Sequence, residues 1–313
     1  MLRKTLILLG FVLLAVACFL FYDLGPNIDY VLPRRITKVA AIIITGAAIA
    51  FSTVIFQTIT NNRILTPSII GLDSLYVLLQ TGIIFLAGSM SFFFLNDYVN
   101  FLLGAGLMVF FSTLLFGFMF KREQNIYFLL LIGIILGTLF GSLSTFMQIL
   151  IDPNEFLMVQ SRMFASFNNV RTDLLLLSIG LLVLGILFYL PNHKYLDVLS
   201  LGREHAINLG IDYDRVVKRL LIVVSIFIAI STALVGPITF LGLLVVNVTH
   251  ELYKTYQHKH LIIGAILISV LALVAGQFIV EKVFTFTTTV SVIVNLIGGI
   301  YFLFLLLKEN RSW

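Results

Sequence analysis

Chemistry in this chain has few places to happen. The longest polar run, Asp197 to Arg219, reads DVLSLGREHAINLGIDYDRVVKR and lies between two long apolar runs. Inside it the pairs Leu201-Gly202 and Leu209-Gly210 bracket Arg203 to Asn208, with Ala206 in the middle. A glycine that takes φ > 0 closes a short helix, so the spacing predicts a compact amphipathic helix over Arg203–Asn208, a handle that a soluble partner could push. An ordinary solvated loop fits the same spacing. Elsewhere the polar groups stand singly. Arg34 and Arg35 follow Leu32-Pro33, and proline both restricts the residue before it and suits a first helical turn, so this stretch reads as a helix start at a membrane surface. Gln57 is an amide in an apolar run, where it must find a partner, and bonding to a neighbour is preferred over lining a pathway. Asp73 opens another apolar run, a position where the helix dipole favours a carboxylate; a proton relay is its other use.

Catalysis by this chain is not expected. It has no G-x-x-x-x-G-K-[ST] run to cradle a nucleotide, no zinc-binding H-E-x-x-H and no paired carboxylates within its apolar runs. If ATP drives it, hydrolysis takes place on a separate subunit. No covalently bound cofactor is expected. Its histidines lack a second ligand at helical spacing, so no metal site is expected. The single cysteine, Cys18, excludes an intrachain disulfide and is expected to pack against a neighbouring helix.

The elements that must position these residues are membrane spans. The chain has 313 residues, of which 11% are charged, and its mean hydropathy is +1.08. An ordinary soluble domain carries about 25% charged residues, so this is an all-α polytopic membrane protein in contact with lipid. A span needs about 20 mainly apolar residues. Counting the apolar runs predicts about ten spans, of which Val290 to Leu307 is short and Phe240 to Tyr256 is weak, with Asn247, Thr249, His250 and Glu251 in its second half. The first run, near Thr5 to Phe21, imitates a signal peptide but is too long and lacks a small-residue cleavage site, so it is read as retained. With both termini inside the cell, fourteen of the twenty basic residues fall on the inner side, as membrane insertion favours. That places the Asp197–Arg219 run in the cytoplasm, and orientation explains the basic residues without invoking nucleic acid. Small residues at Gly46, Ala47, Ala48, Ala50 and Ser52 predict close helix packing, and glycines at 133, 137 and 141 form one smooth face suited to close packing or to contact with a second permease.

The run LGREHAINLG resembles the cytoplasmic coupling loop of permease subunits in the iron-siderophore and vitamin B12 ABC importer family. Leu32-Pro33-Arg34 is similar to the family's R-L-P-R, with Val31 in place of the first arginine. Gly46, Gln57, Asn62, Pro67 and Gly71 match the family's second signature, and Arg63 stands where proline is usual. Gly236-Pro237-Ile238-Thr239-Phe240-Leu241-Gly242-Leu243 resembles GPIGFVGL with Thr239 for glycine, and the Pro-His pair and arginine that follow are replaced by Val246, Asn247 and His250. Ile297-Gly298-Gly299 resembles the closing run without its proline.

This resemblance implies one transmembrane permease domain over residues 1–313, of type II ABC importer architecture, with a cytoplasmic coupling loop at about 193–215. It implies an ATPase contact through Leu201, Gly202, Ala206, Leu209 and Gly210. An extracytoplasmic substrate-binding protein is expected at Arg34, with Arg35 and Lys282 as further positive contacts; simple anchoring of the arginines in lipid headgroups is the alternative. Helix packing or the pathway is assigned to Gly46, Gln57, Pro67, Gly236 and Pro237. The expected partners are ATPase subunits, a second identical or homologous permease, and the binding protein. Ferric siderophores are the implied cargo, with cobalamin or haem next. The rival class is a transporter driven by an ion gradient, which needs ionisable groups near the midplane at broken helices, and Asp73 is the one candidate.

Overall fold

The computed structural model describes residues 1–120, 126–168 and 170–309; side chains at 126, 127, 305, 306, 308 and 309 are outside the description. The basic residues Lys121, Arg122 and Arg311 counted above lie outside the described residues, as does the side chain of Lys308. The elements in order are α1 (Leu2–Phe21), α2 (Ile28–Thr60), a five-residue π turn (Ser68–Leu72) running into α3 (Asp73–Ala87), α4 (Phe92–Leu95), α5 (Asp97–Met119), α6 (Ile126–Leu150), α7 (Pro153–Met163), α8 (Thr172–Tyr189), a 3₁₀ turn (Leu190–Tyr195), α9 (Leu196–Leu199), α10 (Arg203–Asn208), α11 (Tyr213–Val235), α12 (Leu241–Tyr253), α13 (His258–Lys282) and α14 (Val290–Glu309). Among the described residues there are no strands.

Eight helices are long and apolar enough to cross a membrane, and Val290–Phe304 is a shorter apolar helix. The weak segment becomes α12, whose 13 residues rise only about 20 Å, short of a hydrocarbon layer of about 30 Å. The expected total of about ten is reached by counting the short α12 and α14, which runs 20 residues to Glu309.

The core forms around α2 and α11. Both are largely buried along their apolar windows, whereas α1 and α6 bury about a sixth of theirs and present the rest outward. The α2 helix packs against α1, α8, α11, α12 and α13. Water does not drive helices together in lipid, so close backbone approach does, and small side chains permit it. A Cβ at Gly46 would lie 3.0 Å from Ser269 Oγ and 3.3 Å from Leu273 Cδ1, which fixes how tightly α2 seats on α13. The glycine stripe of α6 serves the same end within the chain. Gly71 in the π turn has φ +100° and a Cβ there would stand 2.9 Å from Gly137 Cα, while one at Gly133 would stand 2.9 Å from Ile70 Cα. Gly133 and Gly137 therefore receive the π turn, and Gly141 meets nothing within 4 Å.

The break after α11 follows from Gly236-Pro237. Gly236 has φ +104° and caps α11 through its N–H to Thr232 O, and the chain then turns into α12. The α12 helix ends beside the start of α1, since Lys4 Nζ donates to Leu252 O at 2.8 Å. The described chain thus starts at the same end of the bundle as α10. Cys18 is exposed on α1, contrary to the expected packing, because α1 lies at the periphery and turns that face outward.

Candidate functional site

The polar run between α8 and α11 folds as its two Leu-Gly pairs predict. The α10 helix spans Arg203–Asn208, and the flanking Gly202 and Gly210 have φ +96° and +81°, a backbone that side chains resist and glycine accepts. Ala206 is fully buried beneath the helix, whereas Leu201 and Leu209 are 57% and 64% exposed at its two ends. A short helix with a small inward residue and two outward leucines presents an apolar contact surface at one end of the bundle.

Two attachments root this surface in the core. The Asp197 carboxylate in α9 accepts from the His258 backbone N–H at 3.0 Å and from His258 Nδ1 at 2.6 Å, at the first turn of α13. The other ring nitrogen of His258 lies 2.8 Å from Thr58 Oγ1 in α2. Thr58 also reaches Val54 O at 2.7 Å, so its one proton goes to Val54 O if His258 Nε2 donates and to His258 if that nitrogen accepts. Both arrangements satisfy every group. Arg203 and Asp214 pair at 3.7 Å, tying α10 to α11. Displacement of α10 therefore acts on α9 and α11 directly and, through His258, on α2 and α13.

Beside this surface lies a cavity of about 570 Å³ between the end of α2, Ser200 and the α12–α13 turn. Its lining includes Gln57, Arg63, His250 and Lys254. Gln57 bonds within its own chain turn and not to a neighbouring helix as expected: its Nε2 donates to Arg63 O at 2.6 Å, just past the end of α2, and Asn247 Nδ2 from α12 donates to the same carbonyl at 2.9 Å. Three departures from the resembling family, Arg63, Asn247 and His250, thus converge at one place although about 180 residues separate the first from the others. Sequence reading missed that convergence. Pro67 caps the π turn.

Asp73 is buried as the first residue of α3 and accepts from Thr239 Oγ1 at 2.7 Å. The hydroxyl found where the family motif has glycine therefore clamps the π turn to the break after α11. Asp73 has a fixed structural partner there.

At the opposite end, Arg34 is exposed and stands 4.2 Å from the Tyr30 ring centroid. Arg35 points inward and is 7% exposed; its guanidinium donates to Phe19 O at 2.9 Å, Leu20 O at 3.1 Å and Tyr22 O at 2.7 Å. Those are carbonyls at the end of α1 that lack helical donors, so Arg35 caps α1. Lys282 pairs with Asp23 at 2.5 Å, and its hydrogen bond and charge hold the Asp23 carboxyl below the usual carboxylate range. Of the three basic residues, Arg34 alone is both exposed and unpaired with a carboxylate among the described residues. Deeper in, Lys38 and Glu281 form an ion pair at 2.6 Å with side chains 15% and 8% exposed, and Gln277 Nε2 donates to Glu281 Oε1 at 2.7 Å and to Asn168 Oδ1 at 3.1 Å. This pair locks α2 to α13. Among the described residues no group of three or more His, Cys, Asp or Glu side chains could hold a metal ion.

Known proteins resemble this chain in sequence and in fold. The chain is 64% identical over 311 residues to the petrobactin import system permease protein YclO of Bacillus subtilis, covering 99% of this chain and 98% of that protein. It is 38% identical over 287 residues to the petrobactin import system permease protein FatC of Bacillus anthracis, covering 91% and 81%. Its fold matches a solved metal-chelate type ABC transporter in an inward-facing conformation, with a TM-score of 0.81 and 22% identity over 98% of this chain and 99% of that one. The architecture is that of a type II ABC importer permease. The profile of the FecCD transport family matches residues 5–308, and with a relative 64% identical across nearly its whole length the chain belongs to that family.

Proposed function

We propose that this chain is the permease subunit of an ATP-driven importer that carries a ferric siderophore of the petrobactin class across the cytoplasmic membrane. The observation that carries the proposal is the 64% identity, over nearly both full lengths, to a petrobactin import permease. The α10 end is cytoplasmic, with both termini on that side. ATPase subunits on separate chains grip the surface formed by Leu201, Gly202, Ala206, Leu209 and Gly210, and their nucleotide-driven closure shifts the permease between inward-open and outward-open states. A second permease completes the pathway. An extracytoplasmic binding protein docks at the opposite end through Arg34, with Lys282 behind it and Arg35 holding the α1–α2 corner in shape. Cargo selection is assigned to that binding protein.

Family membership weighs against the gradient-driven alternative. The test is uptake of radiolabelled ferric petrobactin by right-side-out vesicles loaded with ATP, from a strain lacking its own petrobactin permeases and expressing this chain with its second permease, ATPase and binding protein. Uptake that depends on ATP and survives a protonophore is expected. Uptake that persists without the ATPase and collapses with the protonophore would sink the proposal.

A further inference from the structure

We infer that the cavity at the α10 end is a binding site for a phosphate-bearing anion. Two cations face it from different segments: Arg63, just past α2, and Lys254, just past α12. Neither has a carboxylate partner among the described residues, and the lining contains no aspartate or glutamate. An unopposed pair of cations around a concave space attracts an anion of matching charge, and a doubly charged phosphate group matches better than a single carboxylate. The guanidinium of Arg63 offers a planar fork and the ammonium of Lys254 a point charge, the two modes by which proteins hold phosphate. The cavity also meets the first turn of α13, whose own residues there include no acid; its His258 N–H is already taken by Asp197, so the two cations carry the positive field. The Asp197 carboxylate near that turn is engaged by His258.

The backbone supports the same conclusion. Asn61 and Lys254 are the residues that end α2 and α12, and both adopt left-handed φ, +47° and +46°. Glycine is the unstrained choice at such positions, yet the chain keeps side chains at both, and both line the cavity. Arg63 is held from behind, because Gln57 and Asn247 fix its carbonyl and so set the direction in which its side chain leaves the turn. Ser200, at the edge of the coupling segment, completes the wall. A phosphate group here touches α2, the α9–α10 corner and the α12–α13 turn at once. The source of that group is either a free phosphate compound or the headgroup of an anionic lipid, and the experiment separates them.

The full chain is purified in mild detergent and placed in nanodiscs of phosphatidylcholine alone, and binding of radiolabelled inorganic phosphate is measured. In parallel, discs containing phosphatidylglycerol are dissolved and washed, and retained lipid is read by native mass spectrometry. Saturable phosphate binding in the first arm assigns a free phosphate compound, and phosphatidylglycerol retained in the second assigns a headgroup. In either arm Arg63→Gln and Lys254→Gln each weaken binding about tenfold, and Arg63→Lys, which keeps the charge but loses the fork, falls between the unaltered chain and Arg63→Gln. Absence of both signals, or signals indifferent to the two Gln variants with the melting temperature unchanged, overturns the inference. The site rests on the proposed permease function only for calling this face cytoplasmic. ATP-dependent uptake without anion binding sinks the site alone, and gradient-driven uptake with anion binding sinks the permease reading alone.

Discussion

Removing the Asp197 carboxylate should disconnect the coupling surface from the transmembrane core. In Asp197→Ala the His258 backbone N–H and Nδ1 lose a shared acceptor at 3.0 and 2.6 Å. Hydrogen bonds to a charged group contribute about 1.5–3 kcal/mol each. Asp197 is 53% exposed on its side chain, so water replaces part of that and the lower end applies, about 2–3 kcal/mol for the two together. That corresponds to roughly a 30- to 150-fold shift toward the detached arrangement. Asp197→Asn keeps an oxygen acceptor and should lose about 1 kcal/mol. The assay is proteoliposomes holding the complete importer, scored for ATP hydrolysed and ferric siderophore taken up in the same sample. Hydrolysis should continue while siderophore imported per ATP falls at least tenfold in the Ala variant and less in the Asn variant. His258→Ala keeps the backbone N–H to Asp197 but loses the ring contacts to Asp197 and Thr58, so it should give a defect of the same kind, and the double variant should fall short of the sum of the two single ones because they share the ring–carboxylate contact. If imported siderophore per ATP is unchanged in Asp197→Ala while the melting temperature drops, the contact is only structural and the reasoning fails.

Gly71→Ala puts a side chain at φ +100° and 2.9 Å from Gly137 Cα, so it should lower stability by about 3 kcal/mol or more and lower the melting temperature in detergent. Arg34→Glu should weaken a pull-down by the binding protein without changing the melting temperature, whereas Arg35→Ala should lower the melting temperature because the α1 carbonyls lose their donor. Lys38→Met leaves Glu281 buried without its cation and should cost about 3 kcal/mol, and the pair Lys38→Met with Glu281→Gln should recover most of it; equal melting temperatures for single and double variants would refute a buried ion pair.

The coupling segment was legible because its instructions are local. Two Leu-Gly pairs set both ends of α10, and the glycine backbone at 202 and 210 needs no distant partner to be anticipated. The break at Gly236-Pro237 and the short α12 were legible for the same reason. What the sequence leaves open is direction and company. Arg34 and Arg35 are adjacent, and which one faces outward depends on how the α1–α2 corner closes, a tertiary matter. Gly133 and Gly137 read equally well as a surface for a second chain or for this one, and the π turn at Ser68–Leu72 decides it. The cavity was invisible because its walls come from residues near 60, 200 and 255, and no local pattern gives the distance between them.

The length of α2 has a mechanical consequence. The helix begins at Ile28, so Pro33 lies inside it and not at its start as expected, and beyond Pro33 it runs for about 36 Å from Arg34 to the cavity and the Thr58–His258 contact. A single stiff rod with both working ends beyond the hydrocarbon layer can act as a lever. Rocking it by about 10° about its midpoint displaces each working end by about 3 Å in opposite directions. Docking outside and closure inside can then sense one another through the inclination of one helix, with no chain of intermediate side chains to pass the message along.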